Sequence, residues 1–154
     1  MKSELPRKVL IIGSGPIVIG QSAEFDYSGN QAIKAITSKG VKAIVVNSNP
    51  ATIQTDKTPK TIPRMVPLNT SHVMKIIEEE KPDAIMGTFG GQTGLNIMLD
   101  LWRSGFLDSK GIKVLGTSPY FVDVAEDRLK FKKKMMEIGE PVLESYYCSS
   151  LQDS

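Results

Sequence analysis

The sequence predicts an α/β fold, an open parallel sheet with helices on both faces. Apolar runs of strand length alternate with segments of helical periodicity along the 154 residues. The first two, Val9 to Ile12 and Ala43 to Val46, are apolar throughout, as in strands buried on both faces. Polar or glycine-rich loops follow three of the runs, at 13–21, 47–52 and 88–94. In an open parallel sheet that carboxyl edge is where ligands bind.

The first strand is Val9-Leu10-Ile11-Ile12. A helix is expected from Gly29 to Lys39, with Ser28 as its cap, Ala32, Ile33, Ala35 and Ile36 as its apolar face and Gly40 as its stop. The second strand spans Val41 to Asn47. The polar stretch from Ser48 to Pro67 holds a short edge strand at Ile62 to Val66, because Pro63 and Pro67 do not suit a central one. Thr70 or Ser71 opens a helix with Val73, Ile76 and Ile77 facing inward, stopping before Pro82. Asp83 to Gly87 is the third main strand, and a helix from about Leu95 to Arg103 follows it. Ile112 to Gly116 is the fourth. Ser118-Pro119 reads as an N-cap followed by proline at the first helical position.

From about Val124 the texture changes. Ala125 to Gly139 reads as one helix, and Val142 to Tyr147 as the opening strand of a further domain. The expected division is 1–123 and 124–154.

Composition narrows the function. Nineteen basic and seventeen acidic residues leave a charge of +2, too small to argue for nucleic acid or a membrane surface. No apolar run approaches the ~20 residues that span a bilayer. The segment before the first strand leaves no room for a signal peptide. One cysteine, Cys148, allows no internal disulfide and fits a reducing compartment, so the cytoplasm is expected.

The loop Gly13-Ser14-Gly15-Pro16-Ile17-Val18-Ile19-Gly20-Gln21 is not a dinucleotide fingerprint. G-x-G-x-x-G places its third glycine at 18, where this chain has Val18. The second strand ends at Asn47, not at the acidic residue that holds a ribose. A nucleotide-cofactor oxidoreductase is disfavoured on both counts. No Gly-Lys-Ser/Thr ending, metal-ligand cluster or nucleophilic set is present, and a pairing of Cys148 with His72 is improbable.

Candidate ligand contacts are Gly13, Gly15, Gly20, Gln21, Gly90, Gly91, Gln92 and Thr93. Their backbone N–H groups and a helix N-terminus suit an anion, while the plainer reading is that the glycines permit tight turns. Glu24 and Asp26 share a loop and read as solvated or bound to backbone N–H groups. Arg128 has two open readings: a phosphate contact through paired N–H groups, or an ion pair. The lysines after it form a solvated face.

Five blocks together resemble the large subunit of carbamoyl phosphate synthetase, in its amino-terminal half. They are Gly-Ser-Gly-Pro-Ile-Val-Ile-Gly-Gln at 13–21, Glu-Phe-Asp-Tyr-Ser-Gly at 24–29, Val-Asn-Ser-Asn-Pro-Ala-Thr at 46–52, Gly-Gly-Gln-Thr at 90–93 and Ala-Glu-Asp-Arg at 125–128. The resemblance implies a Rossmann-like pre-ATP-grasp domain followed by a stub of an ATP-grasp domain. It implies that the whole subunit uses ATP with Mg²⁺ or Mn²⁺, bicarbonate, and ammonia from a glutaminase small subunit to make carbamoyl phosphate for arginine and pyrimidine synthesis. Arg128 matches the family's ATP-contacting arginine; the ATP lid and metal ligands fall outside these 154 residues. The chain alone is therefore expected to be inactive and to hold no nucleotide or metal tightly. Its expected partners are the remainder of the large subunit, the glutaminase subunit and, through surface left uncovered, a second copy. The alternative is a non-catalytic docking module for the glutaminase subunit or the rest of the large subunit.

Overall fold

A computed structural model describes residues 5–16 and 22–145, with the side chains of Ser22 and Ala23 left aside. Gly20, Gln21, Val18 and Cys148 lie outside the described residues. Five parallel strands form one sheet in the order β3-β2-β1-β4-β5. These are β1 (Lys8–Ile12), β2 (Lys42–Asn47), β3 (Thr61–Met65), β4 (Ala84–Met86) and β5 (Lys113–Val114). The helices are α1 (Ser22–Ser38), α2 (Thr70–Glu80), α3 (Gly91–Arg103), α4 (Phe106–Ser109), α5 (Pro119–Glu126) and α6 (Arg128–Glu137). The chain steps one way from β1 to β2 and β3, then back past β1 to β4 and β5. Right-handed crossovers therefore put α1 on one face and α2 and α3 on the other. This is the α/β fold expected from the alternation of apolar runs.

The central strands have the composition their position demands. Val9 to Ile12 and Ala43 to Val46 are fully buried. Val9, Ile11, Ala43, Val45 and Ala84 share one face of the pleat and pack with Ile33 of α1. Leu10, Ile12, Ile44, Val46 and Ile85 point the other way. Each such aliphatic side chain contributes about 1.5–3 kcal/mol by leaving water.

β3 is the edge strand that Pro63 and Pro67 pointed to. Val66 N–H bonds the Asn47 carbonyl at 3.2 Å. The alternation of a parallel ladder then turns the N–H groups of Ile62 and Arg64 toward β2 and the nitrogen of Pro63 outward, where its missing hydrogen leaves no ladder bond empty.

Several boundaries differ from expectation, each for a local reason. Helix α1 begins at Ser22, seven residues before Gly29, so Glu24 and Asp26 lie on a helix rather than in a loop. Ser28 does not cap it; its hydroxyl bonds the Phe25 carbonyl at 3.4 Å. Ala35 is exposed, while Ala32 and Ile33 are buried and Ile36 is half-buried. Asn69 caps α2, its side chain accepting the His72 N–H, and Thr70 is the first helical residue. Val73, Ile76 and Ile77 are buried as the periodicity requires. Helix α3 starts at Gly91 rather than Leu95. β5 has only two residues, although Leu115 N–H still bonds the Ile85 carbonyl at 2.9 Å.

The single helix expected from Ala125 to Gly139 is two helices. Asp127 is extended, and its carboxylate accepts the N–H groups of Leu129 and Lys130 at 2.9 and 3.0 Å. A short acidic side chain that captures those N–H groups competes with continuation of the preceding helix. Val142 to Ser145 form no strand, and the rest of that expected strand lies outside the described residues.

The chain divides into two units, 1–119 and 120–154. Among the described residues no helix is long and apolar enough to cross a membrane.

Candidate functional site

The sheet's carboxyl edge gathers the segments after β1, β2 and β4. The chain leaves β1 with Gly13 N–H bonded to the Val46 carbonyl at 2.8 Å. Beside it Asn47 is wholly buried. Its Oδ1 accepts the N–H of Gly15 at 3.2 Å and of Asn49 at 3.0 Å, so one amide side chain ties two loops together. Among the described residues its Nδ2 has no hydrogen-bond partner, and neither has the buried Ser14 hydroxyl. The side chain lies against Gly13: a Cβ there would be 2.5 Å from Nδ2. At the place where a dinucleotide fold holds a ribose, this chain holds its own neighbouring loop.

The segment after β4 folds back over the same edge. A short 3-10 turn, Thr88–Gly90, leads into α3. Gly90 stacks on the end of β1, where a Cβ would lie 2.5 Å from the Gly13 carbonyl oxygen and 2.7 Å from that of Ile12. Gly94, in the first turn of α3, presses in the same way on the Gly87 carbonyl. Gly91, at φ +57°, sits beneath the Phe25 ring. At Gly90 and Gly94 glycine is needed because backbone packs on backbone, and at Gly91 because of the left-handed φ.

A second set of contacts holds α1 to the segment after β2. The Thr52 hydroxyl donates to Asp26 at 2.6 Å and accepts the Gln54 N–H at 3.1 Å. Gln54 is 1% exposed, and its Nε2 donates to the Phe25 carbonyl at 2.8 Å. A Cβ on Gly29 would lie 2.5 Å from that Nε2. Sequence reasoning did not find the Asp26–Thr52 and Gln54–Gly29 pairs. The one available signal was a glycine inside a helical pattern, which commonly marks a close approach.

Gly13, Gly15, Gly90, Gly91, Gln92 and Thr93 therefore meet at one edge. Gln92 and Thr93 are exposed in the first turn of α3, with Gln92 Nε2 bonded to Asn96 at 3.1 Å. Thr93 and Ser14 border a recess of about 610 Å³ floored by Pro16, Pro50 and Leu68. Arg128 belongs to the second unit, as the first residue of α6. It is exposed and pairs with no carboxylate among the described residues; the adjacent Asp127 carboxylate is engaged as the helix cap. That disfavours the ion-pair reading and leaves the guanidinium available to an anion. Among the described residues no group of three or more His, Cys, Asp or Glu side chains is placed to hold a metal ion.

One acid with a shifted titration lies at the opposite edge of the sheet. Asp83 is held below the ordinary carboxylate range, chiefly by the Lys8 N–H on its carboxylate and then by the N–H and charge of Arg7, against an opposing cost of burial. The two N–H groups lie 2.9 and 2.8 Å from Oδ2. Asp83 thereby ties the start of β4 to the start of β1.

Comparison with known proteins gives these features a context. Residues 6–124 match the family model of the carbamoyl phosphate synthase preATP-grasp domain. The chain is 53% identical over 151 residues to a carbamoyl phosphate synthase large chain, N-terminal section, from Methanopyrus kandleri, covering 98% of this chain and 27% of that protein. It is 52% identical over 147 residues to a carbamoyl phosphate synthase large chain from Caldanaerobacter subterraneus subsp. tengcongensis, covering 96% of this chain and 14% of that one. It thus spans about a quarter or less of the length of these relatives. Among solved structures, the biotin carboxylase domain of a single-chain bacterial carboxylase superposes with a TM-score of 0.63 at 14% identity, covering 94% of this chain and 32% of that one. N5-carboxyaminoimidazole ribonucleotide synthetase from Thermotoga maritima superposes at 0.56 and 17%, covering 95% and 34%. At such identities these likenesses show the fold alone.

Proposed function

The chain belongs to the carbamoyl phosphate synthase large-chain family, a family of ligases, and from that premise we propose that it serves as the pre-ATP-grasp segment of a glutamine-hydrolysing synthetase. The whole enzyme would form carbamoyl phosphate from bicarbonate, ammonia and ATP for arginine and pyrimidine synthesis, in the cytoplasm. The observation that carries this reading is the match of residues 6–124, at about half identity over nearly the whole chain, to that family.

In this reading residues 1–123 are a scaffold and 124–154 open the catalytic module. Arg128 is the nucleotide contact. A guanidinium at the first residue of a helix, exposed and paired with no carboxylate among the described residues, suits a phosphate oxygen through two parallel N–H groups, and the helix N-terminus adds to the attraction. ATP supplies the phosphoryl group, and Mg²⁺ or Mn²⁺ would be held by residues other than those described here. Gly13, Gly15, Gly90, Gly91, Gln92 and Thr93, gathered at the carboxyl edge of the sheet, are the candidate loop contacts of the first unit, and Gly20 and Gln21 are further candidates from the sequence alone. The rest of the large subunit and a glutaminase subunit are the partners.

Placed within a full-length large chain, Arg128→Ala should lower kcat/KM for bicarbonate-dependent ATP hydrolysis by roughly 10–100-fold, the loss of one charge-assisted contact. Undiminished turnover would remove Arg128 from the nucleotide site. The 154-residue chain alone should show no such turnover, because the metal ions that neutralise the transferring phosphoryl group are not held by its described residues.

One observation favours the docking-module reading as a second possibility. No residue of α6 is buried, and Leu129, Phe131, Met136 and Ile138 are all close to half exposed or more. A surface of that kind suits coverage by further protein. Sedimentation that shows a monomer at every concentration would count against self-association through it.

A further inference from the structure

A concavity in the first unit lies at the amino-terminal edge of the sheet, away from the glycine loops. It has a volume of about 1270 Å³. Its floor is apolar, made by Val9, Val41, Ala84, Ile36 and Leu115. Among the described residues five cations and two carboxylates line it, an excess of three positive charges. Both carboxylates are already engaged: Asp83 with Arg7 at 3.7 Å and Glu78 with Lys110 at 3.2 Å. Lys39, Lys81 and Lys113 pair with no carboxylate among the described residues.

Part of this charge has an internal explanation. Lys39 follows the last residue of α1, and Lys81 and Lys110 are the C-cap residues of α2 and α4. Cations there offset the negative ends of the helix dipoles. Three such ends carry at most about −1.5 charges between them. An excess of roughly +1.5 therefore remains over an apolar floor, with Lys113, on a strand, serving no helix end.

We propose that this groove docks a segment of a second, different polypeptide, one that presents an apolar side chain flanked by carboxylates. The apolar side chain would lie over Ile36 and Leu115, both half-buried and open to further contact. The carboxylates would meet Lys39, Lys81 and Lys113. The proposal concerns the edge opposite the glycine loops and does not depend on Arg128 or on catalysis.

The test uses the 154-residue chain and two synthetic hexapeptides, one alternating Glu and Leu and one alternating Lys and Leu. Amide shifts are followed by NMR. The Glu/Leu peptide should shift Ala35, Ala84, Gly111 and Ile112 saturably, and the Lys/Leu peptide should leave them in place. Lys39→Glu, Lys81→Glu and Lys113→Glu combined should weaken the Glu/Leu peptide at least ~tenfold. The corresponding triple glutamine variant, which introduces no acidic charge, should weaken it less and guards against a reversal variant that fails to fold. No shift, equal shifts with both peptides, or shifts confined to other surfaces would overturn the proposal. So would shifts of these amides on concentrating the protein alone, which would give the groove to a second copy.

Discussion

Gly90 lies so close to Gly13 that a methyl group on its Cα would sit 2.5 Å from the Gly13 carbonyl oxygen. The neighbour is backbone at the end of a buried central strand and cannot step aside as a side chain would. Gly90→Ala should therefore cost about 1–3 kcal/mol or more, the ordinary penalty of overpacking a rigid site. Denaturant titration should show a lower midpoint with the slope unchanged.

Gly94 gives a test of sign. Glycine inside a helix normally disfavours it by about 1 kcal/mol relative to alanine. Propensity alone would make Gly94→Ala stabilising. The Gly87 carbonyl oxygen, 2.5 Å from the position of the new Cβ, makes it destabilising instead. A raised melting temperature for Gly94→Ala would show that α3 can shift away from β4.

At Gly29 the obstacle is the Gln54 side chain, so a double-mutant cycle isolates it. Gly29→Ala alone should destabilise, because Gln54 must leave its bond to the Phe25 carbonyl. In a Gln54→Ala background the same change should become neutral or stabilising. Additive effects would mean that the two residues do not interact.

These contacts explain what could be read from the sequence. β1, β2 and β4 were legible because burial on both faces demands apolar runs, whereas β5 pairs through only two residues, one of them the exposed Lys113. β3 was legible because Pro63 restricts it to an edge. The first two turns of α1 were not. Glu24, Asp26 and Gly29 look like loop residues until Thr52 and Gln54, far along the chain, are brought against them. The start of α3 was read late for the same reason, since Gly90 and Gly91 are required by β1 and Phe25 rather than by the helix. Asn47 was visible as a missing acid; that it ties Gly15 to Asn49 depends on tertiary placement. The break at Asp127 has no clear signature, because an aspartate in mid-helix and a capping aspartate look alike in one sequence.

That break predicts its own removal. Asp127→Ala deletes the acceptor of two N–H bonds and installs the best helix former. The cap is worth about 1 kcal/mol. Helices α5 and α6 should then tend to fuse, raising the far-ultraviolet helical signal while stability changes little. A fall in helical signal would mean that α6 depends on its cap.

Asp83 sets a pH dependence. Its carboxyl titrates lower in the folded chain than the ~3.9 of an unfolded aspartate. The carboxylate form therefore stabilises the fold above about pH 4, and this contribution is lost as pH falls through the lower folded value. Asp83→Asn should destabilise at neutral pH and flatten the acid limb of the stability profile below about pH 4. A variant with an unchanged acid limb would assign that limb to other carboxyls.

The outward-turned nitrogen of Pro63 has a consequence for the protein in a crowded solution. An exposed parallel edge is a template on which a strand from another molecule can extend the sheet, and so start an aggregate. On β3 the outward positions are Thr61, Pro63 and Met65, and the middle one offers no hydrogen. An incoming strand would lose its central bond and meet the pyrrolidine ring there. The Thr61 N–H is already given to the Thr58 carbonyl at 3.2 Å, so replacing Pro63 with a β-branched residue would add a donor to that row, and the edge that now ends the sheet would become a place for it to continue.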